Sequence, residues 1–321
     1  MNKKLIMGLA VVLVLVLIIF VVGRGGKQQE QTALVMATGS TTATGYILGG
    51  TIADLITRTV DDVSVTIQAT GGSIENTRLL VDGQADIAHS TELYNSYYGL
   101  GGFANGAIKD VVPMFQYGAW STHIIVRERS SVTKVEDLRG LRVGVGAAGS
   151  GNAINSEAVL KAHGLTFNDI RAEYLSYSEQ IDALRDGNID VAMIMTVAPG
   201  STIVQMAAQD KIRLIPIAKD KVDKIVADNA IYKPVTLPAG TYEGVNVATP
   251  TVNSPGWLVV RKSMDEDLVY DIVKTVTENF AELQGINAEF RVLTKEMLPE
   301  TLGMPLHPGA EKYFKEAGLL K

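Results

Sequence analysis

Residues 142–152 read Arg-Val-Gly-Val-Gly-Ala-Ala-Gly-Ser-Gly-Asn and connect an apolar run to a helical pattern. The run Leu141–Val145 predicts a buried strand, and the pattern from Asn152 to His163 predicts a helix. Glycines permit positive φ angles and let a bound group approach the backbone closely. Because the first N–H groups of a helix lack internal partners, this strand–turn–helix unit suits a carboxylate or another anion.

The same turn contains the spacing G-x-G-x-x-G, beginning at Gly144, which is also found in dinucleotide-binding sites. That class of site needs an acidic residue at the end of the next strand. The next predicted strand, Arg171–Leu175, follows Asp169 and contains Glu173, but Leu-Ser-Tyr stands at its end. Since the acid is misplaced, we interpret the turn as a plain corner or as a contact for a small polar ligand, and we favour the ligand.

Two further turns have the same design. The first, Thr38–Tyr46, is rich in Gly, Ser and Thr and precedes a helix with Leu48, Ile52, Leu55 and Ile56 on one face. The second, Ala69–Asn76, reads A-T-G-G-S-I-E-N and opens a helix that runs to Val81. In open α/β sheets the ligand lies beyond the carboxyl ends of the strands. Three such turns therefore predict one shared binding site.

An internal repeat predicts two similar halves. Leu80–Ala88 reads LVDGQADIA, and Leu184–Ala192 reads LRDGNIDVA. Each copy is typical of a helix that ends at a glycine and is followed by a buried strand. Each copy also follows a glycine-rich turn and a helix. We therefore expect two α/β lobes, each with its own sheet.

Composition restricts the functions that this chain of 321 residues can perform. The sequence is 46% hydrophobic, which permits a large core, and its length suggests two domains. It contains no cysteine, which excludes disulfides, thiolate metal sites and a cysteine nucleophile. The formal net charge is −6 and the body has no basic run, which argues against nucleic-acid binding.

No catalytic or metal-binding set emerges from the sequence. The four histidines are far apart and form no H-x-x-x-H pair, and the sequence G-x-S-x-G is absent. His89 is interpreted as a packed histidine rather than a general base. We therefore predict a protein that is not an enzyme and that carries no cofactor or metal.

The N-terminal segment has the order of an export signal. Lys3 and Lys4 precede an uninterrupted apolar run, Leu5–Val22. As a helix this run spans about 27 Å, close to the thickness of a bilayer core. The cleavage site is weak, so residues 1–31 are either a cleaved signal peptide or an uncleaved membrane anchor with a short tether. In both cases the body is predicted to lie outside the cytoplasm.

Eight stretches match one protein family in order: Ala37–Gly50, Gly71–Asn76, Gly83-x-x-Asp86, Asp137–Gly146, Gly149–Gly151, Gly187-x-x-Asp190, Ala239–Tyr242 and Leu306–Ala310. Over nearly all of residues 33–321 the chain resembles the solute receptors of the TAXI class of tripartite ATP-independent periplasmic (TRAP) transporters. The resemblance implies an α/β, two-lobed, periplasmic-binding-protein-like (type II) fold with a ligand cleft between the lobes. It also implies delivery of the solute to an integral membrane permease that is driven by an ion gradient.

The domain prediction follows from this resemblance and from the repeat. After the N-terminal segment, residues 32–122 and 251–321 are assigned to lobe I, and residues 123–250 to lobe II. The chain must pass between the lobes twice, and Gly118–Arg127 and Val245–Val260 are the β-like stretches that flank lobe II. These stretches predict a two-strand hinge that contains Trp120 and Trp257.

The resemblance implies a ligand-binding set at the matching positions: Thr44, Gly45, Tyr46, Gly72, Ser73, Asn76, Ser90, Thr91, Gly149, Ser150, Gly151, Thr196 and Pro199. This chain departs from the family pattern where His89-Ser-Thr replaces Gln-Ser-Asp, and in lacking a glycine just before Pro199. The turns carry no Lys or Arg except Arg78, so we expect a small carboxylate or amino acid, such as a glutamate-like solute. The alternatives are an exported enzyme on the same scaffold and a receptor of an ABC transporter or of a sensor.

Overall fold

The computed structural model describes residues 31–321. The predicted signal or anchor helix lies outside these residues. Within the described part of the chain, no helix is both long and apolar enough to cross a membrane.

Strands and helices alternate through most of the described chain. The strands are β1 Thr32–Ala37, β2 Val63–Gln68, β3 Ile87–Ser90, β4 Val111–Arg127, β5 Arg142–Gly144, β6 Arg171–Glu173, β7 Val191–Thr196, β8 Ile212–Leu214, β9 Lys233–Leu237 and β10 Thr249–Arg261. The α-helices are α1 Thr44–Thr59, α2 Ser73–Val81, α3 Leu93–Tyr98, α4 Gly151–Ala162, α5 Tyr177–Asp186, α6 Ser201–Gln209, α7 Lys219–Asp228, α8 Glu266–Glu278, α9 Phe280–Ile286 and α10 Pro308–Glu316. Short 3₁₀ helices include Val135–Leu138 and Ala288–Val292.

The strands pair in the order β2-β1-β3-β10-β4-β7-β5-β6, while β8 pairs with β4 and β9 with β10. β1 is parallel to β3, and β5 is parallel to β6 and β7. We call β1–β3 the first strand group and β5–β7 the second. The two long strands, β4 with 17 residues and β10 with 13, pair antiparallel with each other. On its other side β10 pairs with β3 of the first group, and β4 pairs with β7 of the second. The prediction of a separate sheet for each half was therefore wrong, because these two strands join the groups into one path.

The apolar face predicted for the first helix is confirmed. Leu48, Ile52, Leu55 and Ile56 are fully buried in one cluster that also includes Ile272 of α8. Burial of each such side chain contributes about 1.5–3 kcal/mol. The same cluster contains Met36 of β1 and Ile87 of β3. It therefore holds α1 against the sheet and fixes where the N-terminus of α1 lies.

The internal repeat is confirmed in the structure. Its two glycines, Gly83 and Gly187, have φ angles of 72° and 79°, in the left-handed region that favours glycine. Oδ2 of Asp86 accepts a hydrogen bond from an N–H of β1 at 2.9 Å. Oδ2 of Asp190 accepts one from the N–H of Arg142 in β5 at 3.0 Å. In both copies, the aspartate therefore ties its own strand to the parallel neighbour.

The predicted β-like stretch Val245–Val260 was wrong at its start. Residues 245–248 do not form a strand, and β10 begins at Thr249. The reason is a compact turn in which Gly240 N donates to Val245 O at 2.8 Å and Val245 N donates to Tyr242 O at 3.1 Å. These bonds use the backbone groups that a strand would need for pairing.

Candidate functional site

A cavity of about 50 Å³ lies where four helices begin. The residues that precede α1, α2, α4 and α5 are Ala43, Gly72, Ser150 and Ser176, and all four line it. These helices follow β1, β2, β5 and β6, so both strand groups contribute two of them. The cavity therefore lies beyond the carboxyl ends of the strands, as the three turns predicted.

The cavity wall is polar but carries little charge. No Asp, Glu, Lys or Arg of residues 31–321 lines it, and its one histidine is neutral because burial lowers its pKa to about 3. The lining residues are Thr38, Gly39, Ser40, Ala43, Gly45, Gly71, Gly72, Ser73, His89, Thr91, Trp120, Ala147, Ser150, Gly151, Asn152, Ser176, Tyr177 and Met195. The groups that this wall offers to a bound molecule are hydroxyls, backbone groups and aromatic rings.

The structure brings six of the thirteen predicted ligand residues to this wall: Gly45, Gly72, Ser73, Thr91, Ser150 and Gly151. The other seven do not line it in the described structure: Thr44, Tyr46, Asn76, Ser90, Gly149, Thr196 and Pro199. The three glycine-rich turns thus converge, but only some of their residues border the cavity.

The two predicted serines have internal roles as well. Ser73 Oγ accepts a hydrogen bond from Thr91 N at 3.1 Å. Ser150 Oγ accepts one from Ala153 N at 3.1 Å and donates to Ala147 O at 2.6 Å. Ser150 is therefore the N-cap of α4 that its position in the sequence indicates. Each hydroxyl fixes the shape of a turn in addition to bordering the cavity.

Asn76 and Asn152 hold strand ends together. Asn76 Nδ2 donates to Thr38 O at 2.5 Å and to His89 O at 2.8 Å, and so joins the ends of β1 and β3. Asn152 Nδ2 donates to Met193 O at 2.8 Å in the second strand group. Both asparagines are buried in the first turns of their helices. The equivalent contacts explain why an asparagine stands near the start of each helix.

Replacing Asn76 by alanine is expected to lower the free energy of unfolding by about 3 kcal/mol, because two buried carbonyls lose their donors. Asn105→Ala changes an exposed loop residue and is the matched control, with an expected effect within about 0.5 kcal/mol. Urea unfolding measures both variants. An Asn76→Ala protein as stable as the control would contradict this structural role.

Thr44 and Thr196 lie in a polar cluster that joins the two strand groups. Their Oγ1 atoms are 2.5 Å apart and buried. Glu289, from the 3₁₀ helix Ala288–Val292, accepts a hydrogen bond from Ser201 N at 3.2 Å through Oε1. Its Oε2 is buried without a partner among the described residues, and burial raises the pKa of this carboxyl. Glu289 was missed by sequence reasoning because it is remote in sequence from both threonines.

An aromatic wall was also missed as part of the site. Trp120 of β4 lines the cavity, and its ring centroid is 4.9 Å from that of His89 and 5.3 Å from that of Tyr117. Gly118 and Gly256 face each other across β4 and β10. A Cβ atom at either glycine would lie within 2.3 Å of the Trp120 ring. The two glycines therefore form the slot that holds this indole beside the cavity.

The mixed sheet, its two strand groups and the cavity at their carboxyl ends define a periplasmic-binding-protein-like fold. The chain belongs to the NMT1-like family, whose model matches residues 36–318.

Solved structures with the same fold cover most of the chain. A structure from Bordetella bronchiseptica RB50 has a TM-score of 0.55 and 16% identity, covering 91% of this chain and 90% of that one. A putative L-cystine ABC transporter structure from Listeria monocytogenes has a TM-score of 0.52 and 12% identity, with coverages of 81% and 95%. A structure described for glutathione import via GshT and the cystine ABC importer TcyBC of Streptococcus mutans has a TM-score of 0.52 and 13% identity, with coverages of 84% and 98%. At these identities the likeness shows the fold.

Proposed function

We propose that this protein is an extracytoplasmic solute receptor that binds a small carboxylate or amino acid and passes it to a membrane transporter. The observation that carries the proposal is the convergence of four helix N-termini on a cavity lined by no Asp, Glu, Lys or Arg in the described chain. Each N-terminus offers unpaired N–H groups and about half a positive charge. A bound carboxylate can accept hydrogen bonds from these N–H groups and is stabilised by the partial positive charge. It therefore needs no cationic side chain. The protein binds without catalysis in this proposal.

The size of the cavity supports a small solute. One water needs about 10–15 Å³ of such space, so a cavity of about 50 Å³ holds only a few waters. A carboxylate of a few heavy atoms fits this space as it stands, whereas a glutamate-like solute needs the cavity to open.

For the transporter we favour a TRAP permease, because of the resemblance to TAXI receptors. An ABC importer is the second candidate, favoured by the fold shared with the Listeria and Streptococcus structures, which are described with ABC transporters. The N-terminal signal or anchor pattern supports a location outside the cytoplasm, tethered or free. Reconstitution of the receptor with each type of permease distinguishes the two, because uptake driven by an ion gradient without ATP requires the TRAP type.

We further propose that the strand groups belong to two lobes, residues 32–122 with 251–321 and residues 123–250, that close on the solute about β4 and β10. Contacts between these segments support the proposal. Asn229 Nδ2 donates to Asn95 Oδ1 at 2.8 Å, and Thr42 Oγ1 donates to Ser178 Oγ at 3.3 Å. Such contacts are what a closed cleft requires, and opening breaks them.

A thermal-shift panel tests the carboxylate proposal with acetate, pyruvate, succinate, L-glutamate and 2-oxoglutarate, and with glucose and choline as controls. Binding to the folded state alone raises the stability by about 2.7 kcal/mol at 100 times Kd. We expect at least one carboxylate to raise the midpoint, and neither control to do so. A panel in which only glucose or choline acts would contradict the proposal.

Closure is expected to change the emission of Trp120 and not that of Trp257. Both indoles are buried, but Trp120 lines the cavity, whereas Trp257 does not line it and its Nε1 donates to Glu300 O at 2.8 Å. Solute from the panel should therefore change the emission of the wild type and of Trp257→Phe, but not that of Trp120→Phe. X-ray scattering should show a smaller radius of gyration at saturation. An unchanged radius would reject closure, whatever the emission does.

A further inference from the structure

We infer that His89 is a solute-binding residue whose Nε2–H donates a hydrogen bond to an acceptor oxygen of the solute. The inference rests on the proposed function, and it adds a specific neutral donor to a site otherwise built from helix N-termini. His89 lies in β3, and its side chain lines the cavity. It is also the position at which this chain departs from the family pattern that it resembles.

The ring of His89 is held from two sides. Its Nδ1 lies 2.6 Å from the hydroxyl of Tyr117, whose ring is 5.6 Å away, nearly perpendicular at 85°. The ring centroid of Trp120 lies 4.9 Å from that of His89, with the two planes inclined at 38°. With Tyr117 and Trp120 both buried, the imidazole has a fixed position rather than a mobile one.

The hydroxyl of Tyr117 decides which nitrogen carries the proton. Its one hydrogen bond within the described residues is to His89 Nδ1. A buried hydroxyl that leaves its own proton without an acceptor costs free energy, so this proton goes to Nδ1. Burial raises the pKa of Tyr117 well above its ordinary value and lowers that of His89 to about 3, so both groups stay neutral. A neutral imidazole that accepts at Nδ1 carries its hydrogen on Nε2.

The Nε2 edge faces the start of α1. A Cβ atom at Gly45 would lie 2.8 Å from Cδ2 and 3.0 Å from Nε2 of His89, and Gly45 also lines the cavity. Among the described residues 31–321, the ring of His89 makes its hydrogen bond through Nδ1, and Nε2 makes none. The donor therefore stands beside the N–H groups of a helix N-terminus, where an anion is favoured. A carboxylate that binds there can accept hydrogen bonds from His89 Nε2 and from the helix N–H groups.

The tautomer is tested directly by long-range ¹H–¹⁵N correlation spectra of the full-length protein labelled with ¹⁵N-histidine. His89 is expected to show the Nε2–H form before any solute is added. His123 is the internal control, because its Nδ1 lies 2.9 Å from Ser121 O and its Nε2 lies 2.8 Å from the Tyr242 hydroxyl, which predicts the Nδ1–H form. His89 in the Nδ1–H form would overturn the inference.

Solute binding is tested with the carboxylate of the panel that raises the midpoint most. Adding it should shift the Nε2 resonance of His89 and leave that of His123 in place. His89→Leu is expected to bind it roughly 10- to 100-fold more weakly, the usual loss for a hydrogen bond to a charged group. His89→Gln can place an amide N–H near the former Nε2 and should recover part of the affinity.

Tyr117→Phe provides a second variant, which keeps the imidazole and removes the donor to Nδ1. It should give a mixture of His89 tautomers and a smaller loss of affinity than His89→Leu. If His89→Leu does not fold, Tyr117→Phe replaces it in the affinity measurement. Wild-type binding with an unmoved Nε2 resonance, or unchanged affinity in folded His89→Leu, would overturn the role of His89 alone. If no carboxylate of the panel binds the wild type, the proposed function fails, and the role of His89 fails with it.

Discussion

Gly151→Ala is expected to weaken carboxylate binding about 100-fold while the protein still folds. A Cβ atom at this position would lie 2.1 Å from Thr91 Oγ1 and 3.4 Å from Ser73 Oγ. Thr91 and Ser73 belong to the first lobe proposed above, and Gly151 to the second. Real Cβ atoms do not approach an oxygen to 2.1 Å, and Thr91 is buried. We therefore expect the added methyl group to hold the two turns apart and keep the cleft open.

Folding should tolerate this change. Gly151 is the first residue of α4, its φ angle is not in the left-handed region, and alanine is the better helix former. Gly285→Ala, where an added Cβ meets nothing within 4 Å, is the matched control and should bind like the wild type. Calorimetry measures affinity, and urea unfolding measures stability.

A second substitution shows whether the loss of affinity in Gly151→Ala comes from the contact with Thr91. Thr91→Ala removes the Oγ1 atom that the new methyl group meets, so the double variant should bind better than the sum of the two single effects predicts. Full affinity in Gly151→Ala would mean that solute binding does not require the turns to approach as closely as they do here.

The sequence predicted the positions of the turns well because their signals are local. Glycines, hydroxyl residues and helix periodicity mark each strand–turn–helix unit, and the repeated Leu-x-Asp-Gly-x-x-Asp pattern marks where the two halves correspond. Ser150 illustrates such a local signal, since it is the N-cap of α4 and an N-cap is defined by its immediate neighbours.

Contacts between remote segments could not be predicted in the same way. Asn76 lies at the expected place, but its amide reaches two strand-end carbonyls, and no local pattern reveals their positions. Trp120 borders the cavity because two glycines on different strands leave room for its ring, a relation that depends on the register of β4 and β10. Glu289 reaches its cluster from the C-terminal segment. In each case the role is set by pairing between strands or segments rather than by spacing along the chain.

Gly256→Ala is expected to have the second large effect, because it fills the slot that holds Trp120. A Cβ atom at Gly256 would lie 2.1 Å from Cζ3 and 2.6 Å from Cε3 of that indole. Overpacking of this kind costs about 1–3 kcal/mol of stability. The ring cannot stay in place, and as it borders the cavity, its displacement changes the cavity wall. We therefore expect lower stability and a loss of carboxylate binding of about 100-fold or more.

Two comparisons separate this steric effect from a general loss of folding. Gly118→Ala acts on the opposite side of the same ring, with a Cβ at 2.3 Å from Cζ3, and should have a similar effect, whereas Gly285→Ala should not. Combining Gly256→Ala with Trp120→Phe gives the ring more room, so stability should recover relative to Gly256→Ala alone. Urea unfolding and calorimetry of these variants measure both quantities. If Gly256→Ala binds solute like the wild type, the indole does not need this position, and the aromatic wall is not part of the binding site.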